Sequence, residues 1–156
     1  MTRLCINGET HDFVCEDRDS LAGVLRDRLG LTATRIGCQH GSCGACNVLL
    51  DGVPVRGCLV PAALAEHQQV ITLEGLRDDA VMIRLRAAFT AHHALQCGYC
   101  TAGMLIAARD LILRGRAGSA AEVRAGLAGQ LCRCTGYDGI VAAVLDAAAY
   151  ANGPIA

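Results

Sequence analysis

The chain has 156 residues, with 14 basic and 15 acidic side chains, so it offers no strongly charged surface for nucleic acid or anionic lipid. Its three Tyr, two Phe and no Trp are too few for a base-stacking surface or a flavin site built from stacked rings. No apolar run approaches the ~18 residues of a membrane span. Ten cysteines are the exceptional feature of the composition.

Before residue 75 the sequence alternates short β-like segments with turns. Asp51-Gly52 is typical of a hairpin turn. One amphipathic helix is predicted over Ser20–Leu29, with Asp19 or Ser20 as N-cap and Gly30 as its stop. These features predict a small mixed α/β sheet domain over residues 1–75. The predicted strands are Arg3–Asn7, Thr10–Cys15, Asn47–Leu50, Val53–Cys58 and Val70–Leu73.

After residue 75 the apolar residues recur at spacings of three and four, which indicates helices. Ser119 and Glu122 form a capping box. Four short, alanine-rich helices predict a compact four-helix bundle over residues 76–156, and the fold class is therefore α+β. The predicted helices are Val81–Ala91, Thr101–Leu113, Ser119–Leu127 and Gly139–Ala151.

A first set of cysteines, Cys38, Cys43, Cys46 and Cys58, has the spacing of a plant-type [2Fe–2S] ferredoxin. Glycines in the same loop allow the backbone to approach a cluster closely. A structural zinc site is the alternative. Zinc usually takes its ligands as two compact pairs from separate turns, whereas here three cysteines share one loop, so the spacing favours the iron–sulfur cluster.

A second set comprises Cys97 and Cys100 in LQCGYCTAGM and Cys132 and Cys134 in QLCRCTGYDG. The first pair alone could be a redox dithiol, but a thioredoxin-like motif follows a strand, and here the preceding residues have a helical pattern. Zinc is again an alternative. Both pairs precede predicted helices, whose N-termini are expected to lower thiolate pKa values and stabilise an anionic cluster. We interpret the set as a second iron–sulfur site.

The motifs GCQHGSCGAC, LQCGYCTAGM and LCRCTGY, in this order, resemble those of the iron–sulfur subunit of molybdenum hydroxylases, the xanthine dehydrogenase, aldehyde oxidase and carbon monoxide dehydrogenase family. The resemblance covers essentially the whole chain. It implies a plant-ferredoxin-like β-grasp domain followed by the helical bundle domain. It also implies two [2Fe–2S] clusters, the one distal to molybdenum on the first set and the proximal one on the second.

The resemblance further implies roles for individual residues. Gln96 would hydrogen-bond the pterin of the molybdenum cofactor, although glutamine is otherwise usually an exposed surface residue. Cys134 would lie nearest the pterin amino group and receive the electrons. Two residues depart from the family pattern: Ala102 stands where proline is common, and Asn47 where threonine often follows the third loop cysteine. Neither is a ligand, so the differences concern local rigidity.

No nucleotide-binding, phosphate-binding or metalloprotease motif is present in the sequence, so substrate chemistry is expected to belong to partners. The resemblance implies a large molybdopterin-binding subunit and a medium FAD-binding subunit, in a heterotrimer or its dimer. The chain would relay single electrons between them, and the substrate leans towards an N-heteroaromatic compound. A free-standing two-cluster ferredoxin is the alternative function.

The cysteine content also indicates a compartment. The N-terminal MTRLCINGETHDFVC lacks the continuous apolar core of a secretory signal, and a cysteine-rich chain without such a signal is expected in the reducing cytoplasm. Cys5 and Cys15 match no ligand position, and we expect them to be small buried residues on neighbouring strands.

Overall fold

The computed structural model of the chain describes residues 1–151. The last five residues of the predicted helical domain lie outside this range. Among the described residues, no helix is both long and apolar enough to cross a membrane.

The N-terminal half contains one mixed sheet of five strands in the order β2-β1-β5-β3-β4. The two chain-terminal strands of the sheet, β1 and β5, pair in parallel at its centre, and the other pairings are antiparallel. This arrangement confirms the predicted ferredoxin-like sheet. The strands are β1 (Thr2–Ile6), β2 (Glu9–Phe13), β3 (Asn47–Leu50), β4 (Val53–Arg56) and β5 (Gln69–Ile71).

The β3–β4 hairpin has the turn that the sequence predicts. Asp51 and Gly52 both have positive φ, at 48° and 80°. A two-residue turn with both central residues in this region matches the right-handed twist of its strands. The turn sets the register that places Asn47 opposite Arg56, a pair that matters for the candidate site.

The predicted first helix is present but is not a regular α-helix. Its α-helical part, α1 (Leu21–Gly23), begins at Ser20, whose Oγ accepts a hydrogen bond from the Gly23 amide at 3.1 Å. It continues as a wider π-helical turn over Val24–Arg28. The apolar side chains of both parts remain buried beneath the sheet, so the sequence pattern predicted burial correctly and the hydrogen-bond spacing wrongly.

Up to residue 151, the C-terminal half forms the four predicted helices. Helix α3 is almost wholly buried among the others and also packs against strand β3, whose Leu49 belongs to the helical core. The loop before β3 carries three cysteines of the first set and the loop before α3 carries two of the second. The contact between β3 and α3 therefore brings the two sets near each other. The helices are α2 (Ala80–Ala91), α3 (Thr101–Leu113), α4 (Ala120–Gly126) and α5 (Asp138–Ala151).

Candidate iron–sulfur sites

The first cysteine set is gathered by one loop and one hairpin. Cys38, Cys43 and Cys46 lie in the loop that leads into β3, and Cys58 follows the end of β4. Gly41 and Gly44 have φ of 82° and 78°, which lets the loop curl without a side-chain clash. The hairpin then brings the fourth cysteine back beside the third.

Within this set the thiols form two pairs. The Cys38 sulfur accepts hydrogen bonds from the backbone amides of His40 and Cys43, which lower the pKa of Cys38 to about 6, and the thiol of Cys43 lies beside it. Cys46 is buried against Cys58, and burial raises the pKa of Cys46 to about 11. Amides directed at sulfur are the surroundings that a thiolate cluster requires.

The second cysteine set lines one cavity. The Sγ atoms of Cys97 and Cys134 lie 3.5 Å apart, and Cys100 contacts Cys132 through their side chains. All four cysteines of the set are in the wall of a cavity of about 160 Å³, together with Cys43 of the first set. The sequence interpretation that Cys97–Cys100 and Cys132–Cys134 converge is consistent with this geometry.

The pKa values expected to be lowered in this set shift in both directions, and the causes lie in the loops rather than at the helix ends. The Tyr99 amide lowers the pKa of Cys97. The pKa of Cys100, which is the N-cap residue of α3, is instead raised to about 12, because burial and the neighbouring Cys132 outweigh the helix end. The pKa of Cys134 is also raised, since this thiol donates to Cys97. Metal binding requires all of these thiols to be deprotonated.

The sequence did not predict the side chains that hold the second loop. Thr135 Oγ1 donates to the Cys132 sulfur at 3.2 Å. Tyr137 Oη accepts from the Cys132 amide at 2.8 Å and donates to the Gln130 carbonyl at 2.9 Å. The CTGY motif therefore fixes the loop as well as supplying a ligand. Its threonine and tyrosine hydroxyls are the sequence signal that could have indicated this second role.

The pairing of thiols bears on what each set can hold. A tetrahedral zinc ion needs four ligands around one point, whereas a [2Fe–2S] cluster has two irons with two thiolates each. Two pairs of sulfurs per set fit the binuclear cluster.

The two loops touch directly. The Leu131 amide donates to the Cys43 carbonyl at 2.9 Å, and Tyr99 Oη donates to the Ile36 carbonyl at 2.8 Å. Gly103 of α3 packs so tightly on the first loop that a Cβ there would lie 2.1 Å from the Gly44 oxygen. At Gly103, α3 therefore lies directly against the loop of the first set.

A buried polar network, which the sequence did not predict, joins the same loops. Asn47 is 2% exposed and its amide donates to the Gly103 carbonyl at 3.1 Å. Arg56, its cross-strand partner, donates to the Asn47 side-chain oxygen. Gln130 is 6% exposed, and with its oxygen towards Arg56 and Asn47 it accepts at 2.9 Å and 3.0 Å. In the sequence, Asn47 is marked only by its departure from the family pattern.

Gln96 and two cysteines of the second set, Cys97 and Cys134, lie on the exposed side of that set. The contact of Gln96 with a pterin stays a prediction. Cys5 and Cys15 belong to neither set, and the expectation that they are buried on neighbouring strands was wrong: both are half-buried, and Cys15 follows the end of β2. The Cys5 thiol donates to Gln69 at 3.0 Å, because Cys5 points to the face of β1 opposite the buried Leu4 and Ile6.

Both halves of the chain match known families. Residues 4–73 match the 2Fe-2S iron-sulfur cluster binding domain, and residues 72–145 match the [2Fe-2S] binding domain. These matches favour iron–sulfur clusters over the zinc and dithiol alternatives in both sets.

Three relatives illustrate the similarity over the full length. The nicotine 6-hydroxylase small subunit of Paenarthrobacter nicotinovorans is 46% identical over 142 residues, 91% of this chain and 86% of that protein. The caffeine dehydrogenase subunit gamma of Pseudomonas sp. (strain CBB1) is 42% identical over 144 residues, 90% of this chain and 86% of that protein. In the crystal structure of quinoline 2-oxidoreductase from Pseudomonas putida 86, a chain of 46% identity superposes with a TM-score of 0.88, covering 96% of this chain and 93% of that one.

An α+β fold that gathers eight cysteines into two sets defines an iron–sulfur electron-transfer protein. With these relatives, the chain belongs to the family of iron–sulfur small subunits of molybdenum hydroxylases. It is a subunit of an oxidoreductase complex and carries two [2Fe–2S] binding domains.

Proposed function

We propose that this chain passes single electrons from a molybdopterin site on a large subunit to FAD on a medium subunit. In this proposal Cys97, Cys100, Cys132 and Cys134 hold the proximal [2Fe–2S] cluster, and Cys38, Cys43, Cys46 and Cys58 hold the distal one. When bound, each cluster supplies a carrier of one electron at a time.

The observation that carries the proposal is the division of eight thiols into two sets, each made of two pairs. The pairs are Cys38 with Cys43, Cys46 with Cys58, Cys97 with Cys134, and Cys100 with Cys132. We assign one iron to each pair. The Thr135 and Tyr137 hydroxyls then orient the Cys132 ligand, and the Tyr99 amide orients Cys97.

The exposure of the two sets supports the order of transfer. Cys97 and Cys134 are exposed and adjoin the exposed Gln96, so a partner can approach the second set closely. We assign this side to the large subunit, with Gln96 as a hydrogen-bonding partner of the pterin and Cys134 nearest to it. The Leu131–Cys43 backbone hydrogen bond supports a short passage from the second set to the first.

We infer a heterotrimer, or a dimer of heterotrimers, located in the cytoplasm. Ten free thiols support a reducing compartment. We also divide the chain into an N-terminal domain of residues 1–75 and a helical domain of residues 76–156. The two family matches meet at residues 72–73 and support this division.

For the substrate of the complex we propose an N-heteroaromatic compound. The nicotine, caffeine and quinoline named in three similar proteins all contain a nitrogen heteroaromatic ring. This chain does not contact the substrate in the proposed arrangement. The support therefore comes from the compounds named for the complexes that contain similar chains.

The experiment is purification of the chain with an affinity tag on it alone, followed by metal analysis. We expect a red-brown complex with two larger chains, molybdenum, and about four irons per small chain. A colourless zinc protein, or an iron protein that brings down no larger chain, would contradict the proposal; the second result would identify a free-standing ferredoxin.

A further inference from the structure

Arg56 places a positive charge between the two cysteine loops. Its Nε donates to the Gly41 carbonyl at 3.2 Å, inside the loop of the first set. Its Nη2 donates to the Gly129 carbonyl at 2.6 Å, just before the second set. All three guanidinium nitrogens therefore contact groups of the two loops, counting the bond from Nη1 to Asn47.

Along the chain, Arg56 and its contacts lie closer to ligands of the first set than to those of the second. Arg56 precedes Cys58 by two residues, and its partner Asn47 directly follows Cys46. On the other side its contacts, Gly129 and Gln130, precede Cys132 by three and two residues. The guanidinium thus bonds to Gly41, which lies between Cys38 and Cys43, and to Asn47, which directly follows the buried Cys46.

The surroundings prevent solvent from screening this charge fully. Asn47 and Gln130 are buried, and Arg56 itself is half-buried. The basic residue of the second set, Arg133, lies between Cys132 and Cys134 but is exposed, so water and salt screen it. A fixed, poorly screened positive charge stabilises the extra electron of a nearby reduced cluster and so raises its reduction potential.

We propose that the positive charge of Arg56 makes the cluster of the first set the stronger electron acceptor of the two. Neutral Asn47 and Gln130 hold the guanidinium in place by accepting its hydrogen bonds without cancelling its charge. One electron then leaves the second set's reduced cluster and reduces the first set's oxidised cluster, with no bond or proton transferred. This inference rests on the proposed function, because it assumes both clusters.

The test is a redox titration of the purified complex followed by EPR, in wild type and in Arg56→Gln. Removing the charge lowers the potential of the first set's cluster alone. We expect the equilibrium constant for transfer from the second set to the first to fall at least about tenfold, which is 59 mV for one electron. A change of less than about threefold, or an equal shift of both clusters, would overturn the proposal.

Two companion variants separate charge from structure. Arg56→Lys keeps the charge but loses the planar guanidinium with its several donors. The equilibrium constant for electron transfer is therefore expected to change by less than about threefold. A change as large as that of Arg56→Gln overturns the proposal. Arg18→Gln removes a side chain that is 85% exposed and pairs with Glu16, and is the matched control for loss of one positive charge.

A third variant serves if Arg56→Gln does not retain its iron. Gln130→Glu keeps the shape of the network and adds a carboxylate beside the guanidinium, so it is expected to shift the constant in the same direction as Arg56→Gln. No shift in Gln130→Glu overturns the proposal. If the wild-type complex lacks two reducible clusters, the proposed function itself is overturned. A failure of the proposed function can therefore be distinguished from a failure of the Arg56 proposal.

Discussion

Sulfur atoms of the two sets differ from those of Cys5 and Cys15 in what surrounds them. The thiols of the sets contact one another, and those of Cys38 and Cys132 accept hydrogen bonds from loop amides or Thr135. The Cys5 thiol instead donates to a glutamine side chain, and Cys15 lies 2.8 Å from the Thr2 hydroxyl. The surroundings of the sulfur, rather than the presence of a cysteine, distinguish a candidate ligand.

This difference predicts separate outcomes for two alanine variants. Cys100→Ala removes one thiol of the Cys100–Cys132 pair, and we expect the complex to lose about two irons per small chain while the first set keeps its cluster. Cys5→Ala, the matched control, is expected to keep all of its iron. Metal analysis with EPR measures both, and equal iron loss in the two variants would contradict the assignment of ligands.

At the scale of elements, helix α3 connects the loop of the first cysteine set with the loop of the second. It begins directly after Cys100, packs Gly103 on the first loop and contacts strand β3. Its other end is tied to α2, because Arg109 donates to Asp79 at 2.7 Å and Asp79 caps α2 through the Met82 amide. The side chains of Asp79 and Arg109 are 21% and 17% exposed, so the pair is only partly screened.

This ion pair gives a prediction of stability and its pH dependence. Asp79→Asn keeps a good N-cap but loses the pair, and we expect the free energy of unfolding to fall by roughly 1–3 kcal/mol at pH 7. The hydrogen bond from Arg109 holds the pKa of Asp79 below its ordinary value of 3.8. The contribution is therefore fully present above that value and is lost as the pH falls through the folded-state pKa.

Chemical denaturation of the two forms measures the difference. Between pH 8 and pH 5 it should stay constant, because the carboxylate is ionised in both the folded and unfolded states. The control is Asp138→Asn, which breaks a pair with Arg124 whose aspartate is 88% exposed; it should cost less than about 0.5 kcal/mol. A difference for Asp79→Asn that shrinks within this pH range would refute the interpretation.

At the scale of the whole molecule, the sequence predicted elements better than it predicted contacts between them. Strand β3 and helix α3 have the predicted bounds, because their apolar patterns are locally sufficient. The π-helical turn after Gly23 was not predicted, since the same residues are buried in either hydrogen-bond spacing. The eight candidate ligands were identified by spacing, but spacing could not assign them to pairs.

The network around Arg56 could not be predicted for a different reason. Asn47 and Gln130 are 83 residues apart in the chain, and neither lies in a repeating pattern. Their meeting depends on the packing of α3 against β3, which fixes the second half relative to the first. A single sequence contains no local signal for such a contact, and only the departure at Asn47 marked the position as unusual.

Quantitative EPR of the intact complex after dithionite reduction tests most directly whether one small chain holds two clusters. Two distinct [2Fe–2S] signals are expected, each integrating to about one spin per chain. One signal alone, or spin accounting for only about two irons per chain, would contradict the division of the eight thiols into two sites.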